Sequence, residues 1–340
     1  MLALACEAPA AYPPLCLLRL EQSSSQEVYL LKLKALYISS YVTFLMVASG
    51  YCIWRMIVGP SLPWLGALAT TLPAALFFAR AYVIGDVVRT TARLPGLVAI
   101  AVVGLAIGTG SYVAGSGDAP AALVVAAAGL ISLITYSYWY SNLPRPQNTI
   151  LQVGKSLPAF ELETEAGDLI QSPSFLGKPL LMMFYRGNWC PLCMAQIREV
   201  AAKYRELAER GVEVALVSPQ PHQHTRRLSA KFDIPFRFLV DPGNRAAKRL
   251  GLFAKDGLPF GLQALGYGTD TVWPTVVITD ARGEILFADL TDNYRVRPEP
   301  SAFLEILDRL EEVEDIEDVK RLRTEPTRSL GEVVRDLLSL

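Results

Sequence analysis

Histidine is almost absent from this 340-residue sequence, cysteine is sparse, and neither sign of charge is in excess. The 32 basic residues face 33 acidic ones, for a net charge of −1. With no basic excess to neutralise phosphates, nucleic-acid binding through bulk electrostatics is excluded. The two histidines, His222 and His224, flank Gln223 in a polar stretch, and the five cysteines contain a single Cys-x-x-Cys. Two thiols make only half of a structural zinc set, so neither a metal nor another cofactor is expected. Charge is also missing locally. Residues 1–143 hold 12 of the 65 Lys, Arg, Asp and Glu, and residues 144–340 hold the other 53. That imbalance excludes one purely soluble domain.

What fills the first half is long apolar runs. The intervals Lys34 to Arg55, Arg55 to Arg80, Arg93 to Asp118 and Asp118 to Arg145 enclose 20, 24, 24 and 26 uncharged residues. A helix needs about 20 apolar residues to cross a bilayer core, so four spans are expected near 35–54, 62–79, 95–115 and 119–141. Arg19, Lys32, Lys34, Arg80, Arg89, Arg93, Arg145 and Lys155 fall on one side of these spans, and Arg55 alone on the other. By the positive-inside rule both ends of the chain are expected to be cytoplasmic. Tyr-Ser-Tyr-Trp-Tyr at 136–140 reads as an interfacial aromatic belt, and Gly104, Gly108 and Gly110 as a close helix-packing face. No span holds a buried charge, a histidine or a cysteine pair, so neither an ion path nor an intramembrane dithiol is expected. Residues 1–34, with prolines at 9, 13 and 14 and no basic n-region, read as a loosely ordered tail.

After a Pro-rich linker at 142–150, strand and helix patterns alternate. Strands are expected at Leu180–Tyr185, Val212–Ser218 and Phe236–Val240, and helices at Pro191–Arg210, His222–Phe232 and Asn244–Leu250. A hairpin at Thr275–Thr279 and Ile285–Asp289 turns on Asp280 to Gly283, and Pro300–Glu312 closes the unit. Such an order implies a mixed sheet with helices on both faces. Beyond it, 315–340 is charged and ends in a capping-box helix signal from Ser329 to Glu332.

Chemistry concentrates where the first of these strands meets its helix, at Arg186-Gly-Asn-Trp189-Cys190-Pro191-Leu-Cys193. Pro191 suits the first helical position, which makes Cys190 the N-cap. There the helix dipole and unpaired N–H groups favour a thiolate, with Arg186 adding positive charge. Cys193 lies one turn on, within disulfide reach. Cys6, Cys16 and Cys52 read as unpaired thiols. Trp273-Pro274-Thr275 opens the hairpin, where a proline serves as an edge device.

Gly154-Lys-Ser-Leu-Pro-Ala-Phe160 with Gly177-Lys-Pro179, Ser218-Pro-Gln220, Asp241-Pro-Gly-Asn244 and Tyr294-Arg-Val-Arg-Pro298 resemble the peroxiredoxin (AhpC/TSA, redoxin) family over about 150–312. The resemblance implies a thioredoxin fold, Cys190 and Cys193 as catalytic thiols, and Trp189, Pro191, Trp273, Pro274 and Thr275 as their surroundings. In thioredoxin-like folds a cis-proline at the place of Pro274 packs beside the cysteines. Aligning the peroxidatic cysteine of that family on Cys193 puts Arg186 where its Pro belongs and Cys190 where its Thr or Ser hydroxyl belongs. Which thiol attacks first stays open, since helix electrostatics favour Cys190 and the alignment favours Cys193.

The expected architecture is thus a four-span membrane α-helical region (35–141) followed by an α/β thioredoxin-like domain (151–314). The expected function is a thiol oxidoreductase reducing peroxides or disulfides, reset by an external thioredoxin-like dithiol. The bilayer is its other partner, and a homo-oligomer is left open. The competing class is a non-catalytic redox sensor or membrane assembly protein that uses the redoxin domain for partner docking.

Overall fold

The computed structural model describes residues 14–314 apart from 86–88, 144 and 233; of 14–28 and 310–314 it describes the backbone alone. Asp86, Cys6 and the charged tail at 315–340 with its capping box lie outside these residues.

Four helices form the first half: α1 (Pro14–Val58), α2 (Leu62–Ala79), α3 (Pro95–Val113) and α4 (Ala119–Thr135). π-type turns extend α2 through Arg80–Ile84 and α4 through Tyr136–Tyr140. Four segments, 29–58, 62–84, 95–113 and 119–140, are long and apolar enough to cross a membrane. The tail expected at 1–34 is helical from Pro14 onward, because no glycine or proline interrupts residues 15–49 and propagation is easier than a fresh start. At 45 residues, α1 is about 68 Å long, more than twice a bilayer core of about 30 Å.

Small residues let α2 and α3 touch. A Cβ added to Gly66 would lie 2.6 Å from the Gly104 carbonyl oxygen, and one on Gly104 would lie 2.5 Å from that of Gly66. Gly108 faces Leu123 and Ala126 of α4, while Gly110 faces open space. At the far end Arg55 pairs with Asp118 at 2.6 Å. The 136–140 aromatics are not simply a lipid-facing belt: Tyr136 and Tyr140 are buried against Phe78, Tyr41, Tyr37 and Tyr294, and only Tyr138 is largely exposed.

The second half is built on a seven-stranded sheet in the order β2-β1-β5-β4-β3-β8-β9. Its strands are β1 (Glu161–Thr164), β2 (Leu169–Gln171), β3 (Leu180–Phe184), β4 (Glu213–Ser218), β5 (Arg237–Val240), β8 (Thr275–Thr279) and β9 (Ile285–Ala288). β3, β4 and β5 run parallel, and β8 and β9 return antiparallel. β6 (Phe253–Ala254) and β7 (Thr271–Val272) form a separate small ladder. Because side chains alternate along β3, Leu181 and Met183 enter one core and Leu180, Met182 and Phe184 the other. The first core is covered by α5 (Pro191–Ala202), α6 (Tyr204–Glu209), α7 (His222–Ser229) and α9 (Pro300–Glu314), the second by α8 (Arg245–Arg249).

The single helix expected over 191–210 breaks at Lys203 (φ −95°, ψ 11°), which turns Tyr204 edge-on to Phe236 and Leu207 into the core. The β1–β2 hairpin escapes the strand pattern because it is a short, acidic edge, paired with β5 over two residues.

The two halves are clamped together by the segment after β9. Arg295, fully buried, donates to Ser141 Oγ, Thr90 Oγ1, and the carbonyls of Thr91 and Ala92 at 2.6–3.0 Å. Tyr294 and Tyr136 share a hydroxyl–hydroxyl hydrogen bond at 2.6 Å, and Arg89 pairs with Glu199 of α5.

Candidate active site

β3 is buried throughout and delivers the chain to a tight turn before α5. Gly187 takes φ +146°, and a Cβ there would meet the Trp189 ring at 2.7 Å, so a side chain is excluded twice over. Gln220 holds the turn in shape: its Oε1 accepts from Asn188 N at 2.9 Å while Nε2 donates to Tyr185 Oη at 3.0 Å. That gives Ser218-Pro-Gln220 a role in this chain. Asp241 of the Asp-Pro-Gly-Asn stretch instead caps α8 through Ala246 N and Ala247 N.

Cys190 is the N-cap of α5, with Pro191 first in the helix, and its Sγ accepts from Cys193 N at 3.4 Å. The two sulfurs lie 2.7 Å apart, and both cysteines are free and buried. Helix-terminus electrostatics alone favour a thiolate at Cys190; the surroundings of the pair favour one at Cys193. Burial pushes Cys190 well above its ordinary value, reinforced because its S–H is the donor to Cys193. Burial opposes the Cys193 thiolate too. It is outweighed by the Cys190 S–H, the Arg297 guanidinium and the Arg186 N–H and charge, which bring Cys193 down to about 6. Arg297 is the residue that sequence reading missed. It places Nη2 3.7 Å from Cys193 Sγ and is fixed by Gln196 Oε1 at 2.7 Å and the Tyr294 carbonyl at 3.0 Å. The signal was present in Tyr-Arg-Val-Arg-Pro298, but nothing local says which of its two arginines turns inward.

Arg186 is buried, donates to the Gly257 carbonyl, and lies over the Trp189 ring at 4.7 Å. It also hydrogen-bonds the Tyr140 hydroxyl. Tyr140 and Tyr82 both stand within electrostatic reach of Cys190. The helical half therefore reaches Arg186 in the turn that carries the thiols, which its lack of polar residues did not foretell. Trp273 is buried beside Leu31 and shares a small cavity with Arg186 and Tyr140. The Pro274 peptide is trans, not cis. Pro274 and Thr275 meet Arg145, which donates to the Pro274 carbonyl and Thr275 Oγ1. They therefore anchor the linker and do not touch the sulfurs through any described hydrogen bond. His222 bonds Glu163 and His224 stacks on Tyr267. Cys52 is a free thiol buried in the bundle among Trp64, Ala67, Ala122 and Ala126.

Residues 153–288 match the AhpC/TSA family. The chain is 28% identical over 119 residues to a chloroplastic peroxiredoxin Q of Sedum lineare, covering 34% of this chain and 64% of that one. It is 28% identical over 109 residues to the peroxiredoxin Q of Populus jackii, covering 31% and 51%. It thus spans between half and two thirds of the length of these relatives. Among solved structures, Mycobacterium tuberculosis AhpC is similar at 20% identity and a TM-score of 0.39, over 50% of this chain and 98% of that one. The strand–turn–helix that carries the two thiols thus lies within residues 153–288, which are similar to the AhpC/TSA family and are joined to four apolar helices.

Proposed function

We propose that the protein is a membrane-anchored thiol peroxidase in which Cys193 attacks and Cys190 resolves. The observation that carries this reading is the placement of Arg297 at 3.7 Å and Cys190 at 2.7 Å from the Cys193 sulfur. The first contact favours a thiolate at neutral pH, and the second puts the resolving thiol within bonding reach. The Cys193 thiolate attacks the terminal oxygen of a hydroperoxide. An S–O bond forms, the O–O bond breaks, and the alkoxide leaves and takes a proton from water. The Cys190 thiol then displaces water from the Cys193 sulfenic acid, giving the 190–193 disulfide. An external dithiol returns the pair to the reduced state by thiol–disulfide exchange, and is itself oxidised.

Arg186, held over Trp189, keeps positive charge beside the sulfurs. The four helices serve as the membrane anchor, and the excess of Lys and Arg at the domain end of the bundle favours a cytoplasmic domain. Titrating the purified reduced protein with hydrogen peroxide tests the chemistry. Loss of the Cys190 and Cys193 thiols far faster than free cysteine is expected; loss no faster overturns the peroxidase reading. Labelling an engineered cysteine in 155–314 with a membrane-impermeant reagent tests the sidedness. Protection in intact cells is expected, and labelling overturns it.

A further inference from the structure

The end of α4 departs from an ordinary helix terminus. Its last turn, Tyr136–Tyr140, is π-type and is closed by Ser141 N donating to the Tyr136 carbonyl at 3.0 Å. Such turns are rare in helices and concentrate at functional sites. Here the two outer tyrosines are buried and stack at 5.7 Å and 18°, while Tyr138 between them is half-exposed. Each buried ring leads to one of the two arginines beside the thiols. The Tyr140 hydroxyl accepts from the Arg186 guanidinium. The Tyr136 hydroxyl shares its 2.6 Å bond with that of Tyr294. Tyr294 N also donates to the Ser141 carbonyl at 3.2 Å, and the Tyr294 carbonyl accepts from Arg297 Nε at 3.0 Å. Tyr294 is thus tied to the turn by both main chain and side chain at the point where it holds Arg297.

We propose that Tyr136 and Tyr140 are positioning residues of the dithiol site, Tyr140 for Arg186 and Tyr136, through Tyr294, for Arg297. The inference rests on Cys193 as the attacking thiolate, and adds that the helical half fixes the charges around it. An arginine side chain has large rotamer freedom, and its field at a sulfur falls with distance. Its effect on a thiol therefore depends on the acceptors that hold it. Besides Tyr140, Arg186 is held by the Gly257 carbonyl and the Trp189 ring. Besides the Tyr294 carbonyl, Arg297 is held by Gln196 Oε1 at 2.7 Å. Removing one tyrosine hydroxyl frees its arginine to sample positions farther from the sulfurs. The other groups within electrostatic reach are Tyr185 for Cys193, Tyr82 for Cys190, Lys34 for Arg186, and Asp289 and Arg145 for Arg297. Loss of a neutral hydroxyl leaves all of these charges in place. A change in Cys193 ionisation then reports where the two guanidiniums sit.

The reduced full-length protein in detergent is titrated by site-resolved alkylation, with the Cys193 midpoint read by mass spectrometry. Tyr140→Phe keeps the stacked ring and loses only the hydroxyl. Tyr136→Phe combined with Tyr294→Phe removes both partners of one bond, so no buried hydroxyl is left unpaired and folding is retained. Each variant is expected to raise the midpoint by about half a unit or more, about a threefold fall in the ionisation constant. Added to Arg297→Gln, the Tyr136/Tyr294 change should move the midpoint no further, since its route to the sulfur is already gone. Tyr138→Phe, on the same turn but half-exposed, should leave it unmoved. Arg295→Ala loosens the junction of the halves but keeps both tyrosine bonds, so it should lower the melting temperature without shifting the midpoint. A midpoint that is unmoved or lowered in a tyrosine variant overturns the role of that tyrosine. An equal rise in Arg295→Ala, or a Tyr136/Tyr294 shift that persists in full beside Arg297→Gln, overturns positioning and leaves Cys193 as the attacking thiol. A parent midpoint near the ordinary 9.0 overturns the Cys193 reading itself, and the proposal with it.

Discussion

Replacing Arg297 by glutamine should raise the pH at which Cys193 ionises while scarcely changing the rate at pH 7. The guanidinium lies 3.7 Å from the sulfur in a buried site. A hydrogen bond to a charged group contributes about 1.5–3 kcal/mol, or about 1–2 pKa units. Cys193, held at about 6, should then titrate between about 7 and 8. At pH 7 its thiolate fraction falls from about nine tenths to between about a half and a tenth. Each remaining thiolate is more nucleophilic, by about 2.5–10-fold for a Brønsted slope of about 0.4–0.5. The two effects nearly cancel at neutral pH, so the midpoint of the pH profile is the diagnostic quantity. Site-resolved alkylation across the titration range, read by mass spectrometry, measures it. Stability follows the same ionisation. Because the folded value lies below the ordinary 9.0, the thiolate's contribution is present above 9.0 and lost as pH falls through about 6. The reduced protein should therefore gain stability relative to Cys193→Ser as pH rises through that window, and the R297Q protein should gain less. A cooperatively folded R297Q protein with an unchanged Cys193 midpoint would refute the assignment of Arg297 as the group that holds the thiolate.

Cys190→Ser should still react with peroxide at Cys193 but accumulate a dimedone-reactive sulfenic acid, whereas Cys193→Ser should lose its fast thiol reaction; the reverse pattern would make Cys190 the attacker. Arg295→Ala leaves several buried acceptors unpaired and should cost about 2–5 kcal/mol. It should appear as a lower melting temperature and faster proteolysis at 89–93, with the Cys193 midpoint unmoved. Gly66→Ala forces apart a helix contact whose added Cβ would sit 2.6 Å from a carbonyl oxygen, and should destabilise the bundle by about 1–3 kcal/mol. Gly110→Ala meets nothing within 4 Å and should be neutral in the same detergent melt.

These sites differ in how far the sequence foretells them. The central strands are legible because five apolar residues in a row, as in Leu180–Phe184, have few other uses. Cys190 and Pro191 announce a helix start through the chemistry of its first positions. Arg297 is not legible, because its partner is 104 residues away and its neighbour Arg295 is chemically identical. Which arginine faces the thiols is decided by the path of the chain after β9. Charge patterning likewise finds four apolar helices but not their register on the domain, since Tyr140 and Tyr82 near Cys190 look like ordinary interfacial aromatics in sequence. The helix dipole argument favours Cys190 because it treats the helix end as isolated, while burial and Arg297 act from elsewhere in the fold.

The Cys190 hydrogen bond, Arg297 and Arg186, which together lower Cys193, also bear on how readily the pair gives up its electrons. A thiolate that forms at about 6 instead of 9.0 stabilises the reduced pair at pH 7 by about 1.4 kcal/mol, which raises the reduction potential of the 190–193 couple by about 30 mV. The disulfide is correspondingly the stronger oxidant, so the downstream dithiol that empties it works against a smaller thermodynamic load. In the proposed cycle, the groups that favour the Cys193 thiolate therefore favour the reductive reset as well.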